Sequence, residues 1–89
     1  MQKQSVPVVN KLGLHARASA KLTQMAARYP CAVHLSRNGK RVNAKSIMGV
    51  MMLAAGIGST VEIETDGPQE EEALAALVKL FADKFGEGE

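Results

Sequence analysis

In the stretch GLHARASA, residues 13–20, an imidazole and a guanidinium stand two positions apart among small and apolar side chains. His15 is a base that can be neutral and nucleophilic near pH 7, whereas Arg17 stays charged throughout. An apolar stripe beginning at Ala18 marks the start of a helix, so His15 falls at or beside the N-cap, and Gly13 permits a sharp approach to it. The first amides of a helix lack internal acceptors, and their partial positive charge attracts anions and disfavours imidazolium. If the neutral ring attacks phosphorus, the anionic oxygens come to lie beside the backbone amides of Ala16, Arg17 and Ala18, with the Arg17 guanidinium in reach. Nδ1, the ring nitrogen nearer the backbone, is the expected acceptor. The plainer alternative is a surface histidine that only caps the helix.

The surrounding pattern supplies the elements that must hold this pair. Val6 and Val8 alternate within residues 4–9, with Pro7 between them, as in a strand at a sheet edge. From Ala16 to Tyr29 the period becomes helical: Ala18, Leu22, Met25, Ala26 and Tyr29 share one face, and Arg17, Lys21, Gln24 and Arg28 share the other. Val33 and Leu35 alternate over residues 32–37, and Asn38-Gly39 is a strong hairpin signal before a strand at 40–43. Ser46 can cap a short helix running through Leu53, with Gly56 available to stop it. Val61 and Ile63 alternate with Glu62 and Glu64 over residues 60–65, a strand with one wet face. Gly67, Pro68 and Glu70 to Glu72 open a last helix that buries Leu74, Leu77, Val78 and Phe81, with Gly86 near its end. The order βαββαβα with one-sided elements predicts an α+β fold, helices covering one face of a mostly antiparallel sheet.

An 89-residue chain with 46% hydrophobic residues is expected to form one domain, residues 1–89, around one core. Aromatic residues make up 3% of it and Trp is absent, so aliphatic side chains and five Met must fill that core. No apolar run reaches the ~20 residues of a membrane span. Residues 1–10 lack the apolar block of a signal peptide, and Cys31 is alone; a cytoplasmic protein without a membrane partner is expected. The net charge of +2 hides a division: nine of the eleven cations precede Ser46 and all nine acids follow it. The basic part is either a docking face for an acidic protein or phosphate, or one contribution to a mixed surface.

Residues 47–55 carry no charge, and one helix in so small a protein cannot bury its whole circumference. Some of Ile47, Met48, Met51 and Met52 are therefore expected at the surface, soft and adaptable enough for several partners, although core packing is the rival reading. Lys21 and Gln24, on the outer stripe of the first helix, are expected to join that docking face. Cys31, His34 and His15 have no metal-ligand spacing, and His34 should face solvent. Gly56 and Gly58 lack the lysine of a phosphate-binding loop. Neither a metal nor a cofactor is expected.

NKLGLHARASAKL, with Ser46 heading an apolar helix and the βαββαβα order, resembles the HPr family of bacterial phosphocarriers over about residues 2–86. The resemblance implies an open-faced β-sandwich with four antiparallel strands in order 1-4-2-3 and three helices. It implies that His15 takes a phosphoryl group from Enzyme I of the phosphoenolpyruvate-dependent sugar phosphotransferase system and gives it to Enzyme II acceptor domains, assisted by Arg17. The protein would thus be a carrier, not a metabolic enzyme, and is expected to act as a monomer. It further implies that Ser46, whose own chemistry predicts a helix cap, is a phosphorylation site for an HPr kinase. The family commonly has Pro where this chain has Ala18, which restores an amide near the helix start. A nitrogen-related or purely regulatory branch of the system is an alternative within the family. A small RNA-binding domain is the alternative outside it, and the scarcity of stacking aromatics weighs against it, so no nucleic acid is expected.

Overall fold

A computed structural model describes residues 1–86. Strand β1 (Gln2–Pro7), helix α1 (Ala16–Ala27), β2 (Ala32–Arg37), β3 (Lys40–Asn43), α2 (Ile47–Met52), β4 (Thr60–Asp66) and α3 (Glu70–Ala82) follow in the expected order, with a 3-10 turn at Lys84–Gly86. The strands form one sheet in order β1-β4-β2-β3, each neighbouring pair antiparallel. The three helices cover one face, giving an open-faced β-sandwich.

Period-two alternation fixes which side chains meet the helices. Val6 is registered with Val61, Leu35 with Ile63, and Val33 with Thr65, and all six are buried. They share the core with Leu22 and Ala26 of α1, Val50 of α2, and Leu77 and Phe81 of α3. Each large aliphatic side chain withdrawn in this way contributes roughly 1.5–3 kcal/mol. The scarce aromatics are concentrated: the Phe81 and Phe85 rings meet edge to face with centroids 4.9 Å apart, a geometry worth about 0.5–1.5 kcal/mol beyond its area. Asn38 and Gly39 both take positive φ, 51° and 81°, as the tight β2–β3 turn requires.

The differences from the sequence reading lie at element ends. β1 runs over residues 2–7 instead of 4–9, because Pro7 has no N–H with which to continue the ladder. Val8 instead bonds the loop before β4, donating to Ser59 O at 2.8 Å and accepting from Gly58 N at 3.0 Å. α1 stops at Ala27; the amides of Arg28 and Tyr29 reach back three residues, to Met25 O and Ala26 O, and Pro30 follows. After α2, Ala54 and not Gly56 makes the left-handed step, with φ 52°.

Most cations of the basic first part of the chain are tied down in three dimensions. Glu64, expected on a wet face, is only 7% exposed. Its carboxylate accepts from Arg41 Nη2 at 2.6 Å and lies 3.9 Å from Lys3 Nζ. The Arg41 hydrogen bond, followed in weight by an opposing desolvation, holds that carboxyl below the ordinary glutamate range. Four further cations donate to main-chain carbonyls: Lys21 to Phe85, Arg37 to Leu53, Lys40 to Met52 and Lys45 to Tyr29. The last three lie at the ends of α1 and α2, where cations complement orphan carbonyls and the helix dipole.

Candidate functional site

The loop between β1 and α1 carries His15 and is fastened on two sides. Asn10 is fully buried. Its Nδ2 donates to Gly13 O at 2.8 Å, and Gly13 N donates to Asn10 O at 3.1 Å. On the other side Leu14 N donates to Ala55 O at 2.9 Å, tying the loop to the exit of α2. Gly13 is demanded twice over, by a φ of +65° and by space: a Cβ there would lie 2.5 Å from Ala55 O and 2.7 Å from Gly56 Cα. Ser19 Oγ donates to Leu14 O at 3.1 Å from the first turn of α1. Asn10 and Ser19 therefore position the site, and the sequence reading missed both. Ser19 offered only the signal of a polar residue between two alanines, and Asn10, between Val9 and Lys11, offered none.

His15 is the N-cap of α1, with extended backbone (φ −75°, ψ −179°) and no side-chain capping bond. Its carbonyl accepts the first intrahelical bond, from Ser19 N at 2.8 Å. The amides of Ala16, Arg17 and Ala18 thus precede the first helical bond and lack a partner four residues back within the helix. The imidazole is half-buried, and its Nδ1 lies 3.2 Å from Gly13 O. That contact is a hydrogen bond when Nδ1 carries the proton; the lone pair is then on Nε2. Arg17, at the second helical position, is exposed. Its guanidinium has no hydrogen bond or ion pair among the described residues, which leaves it available to an incoming anion. Ala18 turns its methyl fully into the core.

Ser46 is the N-cap of α2, exposed, with its Oγ accepting from Gly49 N at 3.2 Å. Of the apolar residues that follow, Val50 and Leu53 face the core, while Ile47, Met48, Met51 and Met52 are 39%, 66%, 39% and 61% exposed. Leu12 and Ile57, on the two loops joined through Leu14 and Ala55, are exposed as well, at 63% and 61%. Their isolated positions between polar residues and glycines gave no period to read. Gln24 is exposed, whereas Lys21 is half-buried with its ammonium 2.6 Å from Phe85 O. His34 is half-buried on the open face of the sheet, registered between Glu64 and Asn43. Among the described residues no group of three His, Cys, Asp or Glu is placed to hold a metal ion. No helix among them is long and apolar enough to cross a membrane. Two grooves lie between β1 and α3, both touching Val78 and one of them also Val6 and Phe81, and His15 lines neither.

A half-buried histidine at a helix start, lining neither of these grooves, is carried here on a small open-faced β-sandwich. The family description "PTS HPr component phosphorylation site" matches residues 2–83. The chain belongs to this family, the HPr phosphocarriers of the phosphotransferase system. It is 65% identical to the phosphocarrier protein HPr of Cupriavidus necator over 89 residues, the whole of both chains. The fold matches the crystal structure of HPr-C-His from Thermoanaerobacter tengcongensis with a TM-score of 0.95 and 42% identity, over 98% of each chain. A crystal structure of an HPr dimer from the same organism matches with a TM-score of 0.79 and 42% identity, over 98% of this chain and 100% of that one.

Proposed function

We propose that His15 accepts a phosphoryl group from phosphorylated Enzyme I, ultimately from phosphoenolpyruvate, and passes it to Enzyme II acceptor domains in the cytoplasm. The observation that carries this reading is the uncapped start of α1: a half-buried imidazole in front of the amides of Ala16, Arg17 and Ala18. In the transfer the ring nitrogen's lone pair forms a bond to phosphorus as the bond from phosphorus to the donor breaks. The new anionic oxygens gain the amide dipoles and the Arg17 guanidinium, which stays charged before and after. Reversal toward an acceptor needs no proton taken from solvent, because the neutral imidazole's one N–H is carried on the other ring nitrogen throughout.

Transfer to Nδ1 imposes two requirements. The proton must sit on Nε2 and the ring must turn its Nδ1 away from Gly13 O, because two lone pairs facing each other at 3.2 Å repel. Ile47, Met48, Met51 and Met52, with Lys21 and Gln24 alongside, form the surface on which donor and acceptor dock in turn. A phosphate on Ser46, added by an HPr kinase, would lie at a helix start that tolerates it while repelling an acidic partner on the same face. The protein acts as a carrier between proteins, not as an enzyme turning over a metabolite, and works as a single-domain monomer.

The test is incubation with phosphoenolpyruvate and Enzyme I, followed by phosphorus and nitrogen NMR of the product. One acid-labile phosphoryl group on Nδ1 of His15 is expected, with none in His15→Ala. Label that persists in His15→Ala overturns the site, and label on Nε2 overturns the atom. Sedimentation across a range of concentrations checks the monomer; a dimer of the kind crystallised from T. tengcongensis would show as a concentration-dependent mass.

A further inference from the structure

Three of the five methionines, Met48, Met51 and Met52, stand on one helix of six residues and are 66%, 39% and 61% exposed. The hydrogen bonds and core contacts that hold the helix do not involve their thioethers. Ser46 Oγ caps its start, Val50 and Leu53 fasten it to the core, and Arg37 and Lys40 donate to the carbonyls of Leu53 and Met52 at 3.0 and 3.2 Å. The thioethers are thus carried on a scaffold fastened through Val50 and Leu53, with Met48 and Met52 the more exposed and Met51 the less.

We propose that α2 is a site of reversible methionine oxidation, at Met48, Met51 and Met52, through which a two-electron oxidant of the peroxide class weakens docking of the phosphoryl donor. The inference rests on the docking role assigned to these side chains above. In the step a sulfur lone pair attacks one peroxide oxygen, an S–O bond forms and the O–O bond breaks. Sulfur loses two electrons, and the departing hydroxide takes the proton to leave as water. The product is a sulfoxide, polar where the thioether was apolar. Susceptibility follows exposure, so these positions react ahead of Met25, which is packed partly against the core. Met1, 61% exposed but outside the docking face, serves as an internal control. A sulfoxide oxygen buried unpaired under a partner reduces association roughly tenfold, while the free protein keeps its fold because solvent satisfies that oxygen. A dithiol-dependent sulfoxide reductase reverses the change, returning the thioether, water and a disulfide.

The experiment treats the purified chain with hydrogen peroxide, maps the oxygen added to each methionine by peptide mass spectrometry, and measures phosphoryl uptake from phosphorylated Enzyme I. The treated protein is expected to show a KM for the donor reaction raised roughly tenfold with an unchanged circular dichroism spectrum. Methionine sulfoxide reductase with a dithiol should restore the original value. In the triple variant Met48→Leu, Met51→Leu, Met52→Leu, treated and untreated rates should be equal, whatever the basal rate. Full oxidation of the three with unchanged KM, reaction at Met25 first, or loss of helical signal on oxidation would each overturn the inference and leave the carrier reading standing. Untreated protein that takes up no phosphoryl group would instead bring down the carrier reading and the inference with it.

Discussion

α1 and α2 both begin with an extended residue at the N-cap, yet they resolve their unpaired amides in opposite ways. At α2 the Ser46 hydroxyl turns inward and accepts from Gly49 N, so the helix start is served by its own chain. At α1 the His15 ring makes no capping bond and turns instead toward Gly13 O. Its first amides therefore receive no side-chain cap. The start of α2 is therefore served by its own cap, while the start of α1 is braced by contacts of the preceding loop: Asn10 to Gly13, Leu14 to Ala55 and Ser19 to Leu14. The same contacts that brace this approach also place the His15 ring.

That contrast can be broken most forcefully at Gly13. Gly13→Ala must relieve both a positive φ and contacts of 2.5 and 2.7 Å with the α2 exit. A loss of about 3 kcal/mol in unfolding free energy is expected in urea denaturation, along with most of the phosphoryl uptake. Arg17→Ala should leave the unfolding midpoint in place, since the side chain is exposed, and slow uptake by roughly tenfold to a hundredfold in single-turnover kinetics. Ser46→Ala should show the reverse profile, losing about 1 kcal/mol of stability with little change in uptake. Ser46→Asp keeps a capping oxygen and should weaken Enzyme I binding in calorimetry with the fold intact; unchanged affinity would count against an electrostatic effect at this site.

The smallest effect is expected away from both helix starts, at Glu64. Its folded pKa lies below the ordinary value, so its contribution is fully present above that value, near 4.5, and is lost as pH falls through the folded pKa. Arg41 is about half exposed, which limits the pair to about 1 kcal/mol or less. Glu64→Gln should therefore lower stability slightly at pH 7 and flatten its acid dependence, read as thermal midpoints between pH 3 and 7; a variant with the parent's pH profile would rule out this carboxylate as a source of acid sensitivity.

Element types and order were legible because each element shows its period locally. Val33 and Leu35 alternate, Ala18, Leu22 and Ala26 recur at helical spacing, and Asn38-Gly39 supplies the positive φ values a two-residue hairpin needs. Element ends were less legible. The left-handed step after α2 falls on Ala54 although glycine is available two residues later, because the fixed positions of Leu53 and Ala55 in the core decide where the chain must turn. Phe85 likewise adopts φ 54° in order to bury its ring against Phe81. Packing overrode propensity at both places.

At the site, the sequence determined the chemistry: an imidazole, a permanent cation and a helix start within residues 13–20, a grouping set by local spacing. It also determined that a charge-free methionine helix would exist. Only the tertiary structure decided that this helix and the histidine loop share a boundary, through Leu14 and Ala55, and that Leu12 and Ile57 on the joined loops stay exposed. It alone showed that most of the basic first half is spent on Glu64 and on main-chain carbonyls. The physical reason is that charge and exposure depend on which residues become neighbours across the sheet and between helices, and those neighbours lie tens of residues apart along the chain.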